Sequence, residues 1–458
     1  MKPLVIELND RTVCLARDGV VLARAPSTIF DGGGAESAGT NAWHALRRQP
    51  TTTSTHHLGQ ITSQAVASAR SAALLTAELS QHLAKNPPLA GERIWIAVPT
   101  RVDTHGLGNV LGIAQSLGLT VDGFVDAAAV AIASLTARRN AIVLEVGLHH
   151  AAATSVESGA QARRRRAAIS AQGGLIELYQ AWLAFISTAM VKRTRFDPFT
   201  DASTEQQLFD ALPALTRQAA ESGSTTAGVS NGDNRFEVTL SRDQFAEAAQ
   251  PFYRELVRLL HALRPAGAQV TLVIPETVAA FPGLRELLQQ FVGCELITVP
   301  EGFAAAATSL LDLPEATSGE QVRLLRRLPL REQSTLAAGI TREILGGESV
   351  GASAPSHVLF EGRAISIGSG LAANGLVVGR SPGSAHALTL PDGLAGVSRR
   401  HCTFVRDGNE LVLIDHSHYG TFVNGERVSE RVRIHAGDKV RLGEPGIELS
   451  LISIGEVA

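Results

Sequence analysis

Cysteine is scarce in this 458-residue chain: Cys14, Cys294 and Cys402 are far apart and odd in number. That excludes a disulfide framework and fits no zinc-ligand spacing, and a reducing cytosol is the simplest compartment for it. A basic surplus is also missing, since 41 Lys and Arg stand against 44 Asp and Glu for a net charge of −3. A dedicated nucleic-acid binder carries excess positive charge, so no nucleic acid is expected as partner. Long apolar runs are absent too. The richest stretches, Phe124–Leu135 and Phe303–Leu311, fall short of the roughly 20 residues that span a bilayer. The first ten residues are broken by Glu7 and lack the pattern of a secretory signal. A cytoplasmic protein without membrane insertion is the expectation.

What is present is enough apolar residue, 45%, to bury a sizeable core, over a length suited to two or three domains. Strand-like runs at Leu4–Leu8, Val13–Ala16, Ile94–Val98, Ile142–Val146 and Val270–Ile274 alternate with helical stretches such as Ser63–Leu83, Gly106–Leu117 and Asp243–Leu263. Residues 1–312 therefore read as an α/β domain with a sheet covered by helices. Residues 313–355 carry the basic patch Arg323–Arg327 and then Gly346, Gly347, Gly351, Ser353 and Pro355. They read as a connecting segment whose second half is a linker. From 356 to 458 the helical pattern gives way to short β runs (Leu376–Val378, Cys402–Val405, Leu411–Ile414, Gly420–Val423, Val440–Leu442, Ile447–Ile452) between Gly, Asn and Asp turns. This is the pattern of an all-β sandwich. No internal repeat is visible.

Four short motifs punctuate the β region: Gly379-Arg380-Ser381, Ser398-Arg399-Arg400-His401, Tyr419-Gly420-Thr421 and Asn424-Gly425. Guanidinium groups, a hydroxyl donor and loop amides at strand ends suit a dianionic tetrahedral group, whose oxygens accept charge-assisted hydrogen bonds. Taken together, in order, they resemble the forkhead-associated (FHA) domain, a phosphothreonine-recognition module. The resemblance implies that Arg380 and Ser398 hold the phosphate, with Arg399 adding a contact. It makes His418 and Tyr419 the peptide-binding loop. Gly379, His401, Gly420 and Asn424 become structural residues of the binding loops, with His401 bracing them. The family often has Asn where Tyr419 stands. Gly396, two before Ser398, offers no side chain to select peptide sequence. Basic and acidic residues nearly balance over 356–458, so any positive potential is local.

The order of segments over 1–312 resembles, distantly, the nucleotide-binding domain of the seventy-kilodalton heat-shock chaperones in the actin-like ATPase superfamily. The segments are the opening hairpin, Ile94–Pro99, Val125–Ala131, Ile142–Gly147, Gly173-Gly174, Val273–Glu276 and Val299–Ala304. That resemblance implies an actin-like α/β N-terminal domain ahead of the FHA sandwich. The phosphate-binding hairpins of active members begin with Asp and carry glycines, because a Cβ would collide with the nucleotide. Here the first is Glu7-Leu8-Asn9-Asp10-Arg11 and the second Glu145-Val146-Gly147-Leu148-His149-His150. Pro275-Glu276-Thr277 replaces the adenosine-side glycines. Asp126 stands where the family has Glu, and no lysine can be assigned by position to the catalytic role. Glu7, Asp126, Glu145 and Gly147 thus read as a vestigial nucleotide site in a pseudo-ATPase, with no catalytic residue, metal or cofactor expected. ATP with magnesium, bound without turnover, stays open.

Adjacent histidines in a strand point to opposite faces, so His149-His150 and His56-His57 are expected to be structural or solvent-facing instead of metal ligands. Arg163–Arg166 reads as a solvated face of an exposed strand. The functional expectation is a phosphothreonine-dependent adaptor or scaffold in signalling. Its partners would be a phosphothreonine-containing protein, a threonine kinase upstream, and a second protein docking on the N-terminal domain. Two alternatives compete with it: an ATP-driven chaperone targeted by its FHA domain, and a phosphate-independent structural subunit of a larger assembly.

Overall fold

The computed structural model describes residues 2–31, 37–63, 68–135, 140–265, 268–314, 322–330, 339–345, 356–360, 363–367, 375–384, 386–407, 410–423, 426–434 and 438–452. The chain divides into two compact units, Met1–Gly346 and Gly347–Ala458. The first unit therefore continues past residue 312.

In that unit the apolar run β1 (Leu4–Leu8) is buried on both faces. β2 (Thr12–Arg17) and β3 (Val20–Pro26) fold back antiparallel. Asp18 and Gly19 both take positive φ, 50° and 80°, the tight hairpin turn whose twist matches the strands. Next comes α1 (Ala69–Lys85), where Ser68 Oγ accepts the Ser71 N–H at 3.1 Å. It leads to β4 (Ile94–Val98), parallel to β1. α2 (Thr104–Ser116), capped by Asp103 on the Gly106 N–H, leads to β5 (Val121–Asp126), parallel to β4, and then α3 (Ala127–Leu135).

A second sheet is built the same way. β6 (Ala141–Val146), β7 (Ala151–Ser158) and β8 (Gln161–Ser170) are antiparallel. The helices α4 (Leu175–Thr194), α5 (Ala202–Ser222), α6 (Arg242–Ala248) and α7 (Gln250–Leu263) follow. β9 (Thr271–Pro275) then lies parallel to β6, β10 (Glu295–Val299) parallel to β9, and α8 (Phe303–Leu310) comes after it. In both sheets the order is third, second, first, fourth, fifth strand. This repeat escapes a reading of residue identities, because burial pattern and strand direction preserve it and the side chains do not. The single helix expected over Asp243–Leu263 is two, with Pro251 in the first turn of α7, a position proline tolerates because that N–H has no partner in the helix.

The segment expected to connect the domains supplies sheet edges. β11 (Arg323–Leu325) pairs parallel with β5, β12 (Arg327–Pro329) antiparallel with β8, and β13 (Thr341–Ile344) antiparallel with β10. Leu324, Leu325 and Leu328, between the arginines of this segment, pack into the cores. α3 and α8 meet and share one core cluster, to which they contribute Ala128, Ala129, Ala133, Ala305 and Ala307, side chains small enough for close helix approach. No described helix is long and apolar enough to cross a membrane.

The second unit pairs β14 (His357–Phe360), β15 (Arg363–Ser366), β16 (Leu376–Gly379), β17 (Ala387–Thr389), β18 (Cys402–Asp407), β19 (Glu410–Asp415), β20 (Thr421–Val423), β21 (Glu426–Arg427), β22 (Arg431–Ile434), β23 (Lys439–Leu442) and β24 (Ile447–Ile452) into two sheets. Their orders are β17-β16-β18-β19-β22 and β15-β14-β24-β23-β20-β21. Alternate residues, among them Leu376, Phe404, Leu413, Leu442, Leu449 and Leu451, form the shared core, as a sandwich of twisted sheets requires.

Candidate functional site

The loops at one end of this sandwich are laced by backbone bonds. The Arg380 N–H donates to the Ser398 carbonyl at 3.2 Å and the Ser381 N–H to the Arg399 carbonyl at 2.9 Å. A Cβ on Gly379 would lie 2.2 Å from the Arg399 carbonyl oxygen, so only glycine lets the β16 end approach the loop. The His418 N–H donates to Ser398 Oγ at 3.1 Å. Arg380, Ser398, Arg399 and His418 are thereby gathered into one patch. The Ser398 hydroxyl accepts this bond and keeps its own proton to donate. Arg399, His418 and Tyr419 are exposed, while Arg380 and Ser398 are half-buried. Neither Arg380 nor Arg399 pairs with a described carboxylate, and Arg380 Nε has no described partner.

His401 is fully buried. Its Nδ1 accepts the Ser398 N–H at 3.0 Å, so the proton sits on Nε2, which faces the Gly420 carbonyl at 3.3 Å. Burial pushes its pKa down, against the pull of the Gly420 bond and the Asp415 charge. Gly420 takes φ 85°, a left-handed conformation that strains other residues. Asn424, expected to shape the following turn, lies outside the described residues.

Sequence reading missed Asp415. Its Oδ1 accepts the Ser417 N–H at 2.9 Å and the Thr421 hydroxyl at 2.7 Å, and its Oδ2 accepts the Thr421 N–H at 3.2 Å. One carboxylate thus pins both ends of the His416–Gly420 loop. Burial raises its pKa, but those bonds outweigh burial and hold it below the usual aspartate range. The available signal was an Asp two residues before Ser417, the spacing of a side-chain-to-backbone turn.

In the first unit, Glu7, Asp126, Glu145 and Gly147 lie at facing ends of the two sheets. Glu7 Oε2 accepts the Ala305 N–H at 2.8 Å, and Glu145 Oε2 accepts the Thr100 N–H at 3.0 Å. Arg164 Nη1 donates to Asp126 at 2.7 Å and Nη2 to the Thr100 carbonyl at 2.9 Å. Arg164 is therefore not part of a solvated face: it reaches inward across the sheets. Arg165 pairs with Glu157 on the outside. Arg11 and Glu301 form an ion pair beside Glu7. Burial and the Asp126 charge push the Glu145 carboxyl up to about 7, against the Thr100 N–H.

The histidine pairs are not in strands. His149 and His150 occupy the β6–β7 turn and are both turned inward. His150 meets Asp10 at 3.0 Å, while His149 meets Thr55 Oγ1 at 2.9 Å and stacks on His56 at 3.7 Å. His57 is buried against Glu78 at 2.7 Å. Among the described residues no group of His, Cys, Asp and Glu converges as a metal site. A cavity of about 90 Å³ separates Glu7 from Glu145, and one of about 570 Å³ adjoins it between Trp43, Tyr179, Pro213 and Phe281.

No curated protein matches the chain. Residues 376–443 match the family model of the FHA domain, and with the loop arrangement described above this identifies the second unit's core as an FHA domain, a module of phosphothreonine-dependent protein interaction.

Proposed function

We propose that this protein is an adaptor that binds a threonine-phosphorylated partner through Arg380, Ser398 and Arg399, placing it downstream of a threonine kinase. The observation that carries the reading is that backbone bonds bring Arg380 and Arg399 to the Ser398 loop, whose hydroxyl keeps a proton to donate, and that neither arginine pairs with a described carboxylate. A phosphate dianion supplies the missing acceptors: each guanidinium gives a charge-assisted bond and Ser398 a neutral one. His418 and Tyr419, on the loop tied to Ser398, would meet the peptide beside the phosphate.

In this reading the first unit is an actin-like pseudo-ATPase that serves as scaffold and docking body for a second protein. The twice-repeated strand order supports the fold assignment. The residues do not fit a magnesium nucleotide. Glu7, Asp126 and Glu145 are each taken by protein donors. The gap between Glu7 and Glu145 is about 90 Å³, and the cavity beside it, about 570 Å³, is within the range of ligand pockets, so the misfit lies in the occupied carboxylates.

Capture of a degenerate phosphothreonine peptide library by the full chain, beside its unphosphorylated counterpart and the Arg380→Ala variant, tests the first half. Selective capture lost in the variant is expected. Equal capture of both libraries, or of neither, would refute phosphate dependence and favour a structural subunit. Calorimetry of the full chain with MgATP tests the second half, where binding with turnover would restore the ATP-driven alternative.

A further inference from the structure

Asp10 lies in the turn between β1 and β2 and is 3% exposed. Its Oδ1 accepts the Leu148 N–H at 3.0 Å, and its Oδ2 accepts the His149 N–H at 3.3 Å and faces His150 Nδ1 at 3.0 Å. The two backbone donors and the His150 ring all come from one turn of the other sheet, closed by the Gly147 N–H on the His150 carbonyl at 2.9 Å. Successive backbone N–H groups converging from a turn form an anion-binding concavity. Arg101 Nη1 lies 3.1 Å from the same His150 nitrogen and adds positive charge.

The fit is close. A Cβ on Gly147 would lie 2.0 Å from Asp10 Oδ1, and one on Gly174 would lie 2.4 Å from the Leu148 carbonyl oxygen and 2.6 Å from His149 Cα. Glycine at the first position admits the carboxylate; at the second it lets the start of α4 seat against the turn. That start is bonded to the turn by the Leu175 and Ile176 N–H groups on the Gly147 and Leu148 carbonyls. The concavity is built, and its occupant belongs to the chain.

We propose that Asp10 is a built-in anion: its carboxylate fills the anion-binding turn 147–150 and ties the two sheets together, so the first unit holds this arrangement without any phosphate-bearing ligand. Thr100 on Glu145 and Arg164 on Asp126 are further ties across the same gap. The proposal deepens the pseudo-ATPase reading, giving a reason why the turn has no vacancy for phosphate. It also assigns a latent site, because removing the carboxylate uncovers amides that take inorganic phosphate.

The test is thermal unfolding of the full chain followed by tryptophan fluorescence. Trp43, Trp95 and Trp182 all lie in the first unit, so phosphate bound by the second unit does not enter the signal. Wild type is expected to unfold at a midpoint that inorganic phosphate does not move beyond a chloride control of equal ionic strength. Asp10→Gly should unfold about 5 °C lower, and phosphate should raise its midpoint saturably toward wild type. Asp10→Gly insensitive to phosphate, or a wild-type midpoint that phosphate raises saturably, overturns the built-in anion. Where the glycine variant does not fold, Asp10→Asn, which keeps the volume and removes the charge, must still unfold below wild type; an unchanged midpoint is equally fatal. A MgATP arm separates the two claims. Wild type that is stabilised by MgATP and also turns it over sinks the pseudo-ATPase reading as well, whereas a phosphate-blind Asp10→Gly sinks the built-in anion alone.

Discussion

The His401 imidazole joins two binding loops through opposite ring atoms, Nδ1 to the Ser398 N–H and Nε2 to the Gly420 carbonyl. A buried ring with both nitrogens engaged fixes the position of Ser398, although His401 itself is out of reach of any ligand. His401→Ala leaves a buried N–H and carbonyl unpaired and opens a cavity, a loss of about 3 kcal/mol. Calorimetric unfolding of the full chain should show the second unit's transition lowered and the first unit's unchanged, with phosphopeptide affinity reduced.

Arg380→Ala should weaken phosphopeptide binding by about 1.5–3 kcal/mol, the worth of a charge-assisted bond. Arg380→Lys should recover only part of it, because an ammonium cannot reproduce the planar fork. Ser398→Ala removes a donor and also frees the His418 N–H, so it should cost about 1–2 kcal/mol. Titration calorimetry with one phosphothreonine peptide ranks the three; an Arg380→Lys variant with full affinity would show that the planar fork is not needed.

Asp415 holds both ends of the His416–Gly420 loop. Asp415→Ala should lower peptide affinity by about 1–2 kcal/mol through loop disorder. Asp415→Asn keeps one acceptor oxygen and should lose less. Amide hydrogen exchange at 416–421 is the direct readout, and protection unchanged in the alanine variant would show the loop is held by other means.

Glu145 sets an alkaline limit on the first unit. Its folded pKa of about 7 lies above the ordinary 4.5, through burial and the neighbouring Asp126 charge. Stability from the protonated form is fully present below pH 4.5 and is lost as pH rises through about 7. The whole effect is on the order of 3 kcal/mol. Glu145→Gln should flatten the fall in tryptophan-monitored stability across that window, whereas a variant with the wild-type slope would place the titration elsewhere.

Much of the second unit is legible from the chain. Alternating apolar residues at Cys402, Phe404, Leu411 and Leu413 dictate strands, and Gly379-Arg380, Ser398 through His401 and Gly420 mark the loops. These are local signals, set within a few residues by backbone chemistry. Asp415 escaped because its role is a set of distances to Ser417 and Thr421, which composition does not display.

The first unit divides differently. Its sequence determined the α/β alternation and the opening hairpin, each a matter of local propensity. Tertiary structure alone decided that Arg323–Leu325, Arg327–Pro329 and Thr341–Ile344 complete the sheets, since edge pairing is a long-range choice between partners. It also decided that the two sheets repeat one order, that Arg164 turns inward to Asp126, and that His149 and His150 sit in a turn. The same holds for Asp10, which meets the 147–150 turn across 138 positions of chain. Whether a carboxylate lies free or fills a ring of amides depends on which distant backbone folds against it, and sequence spacing carries no record of that.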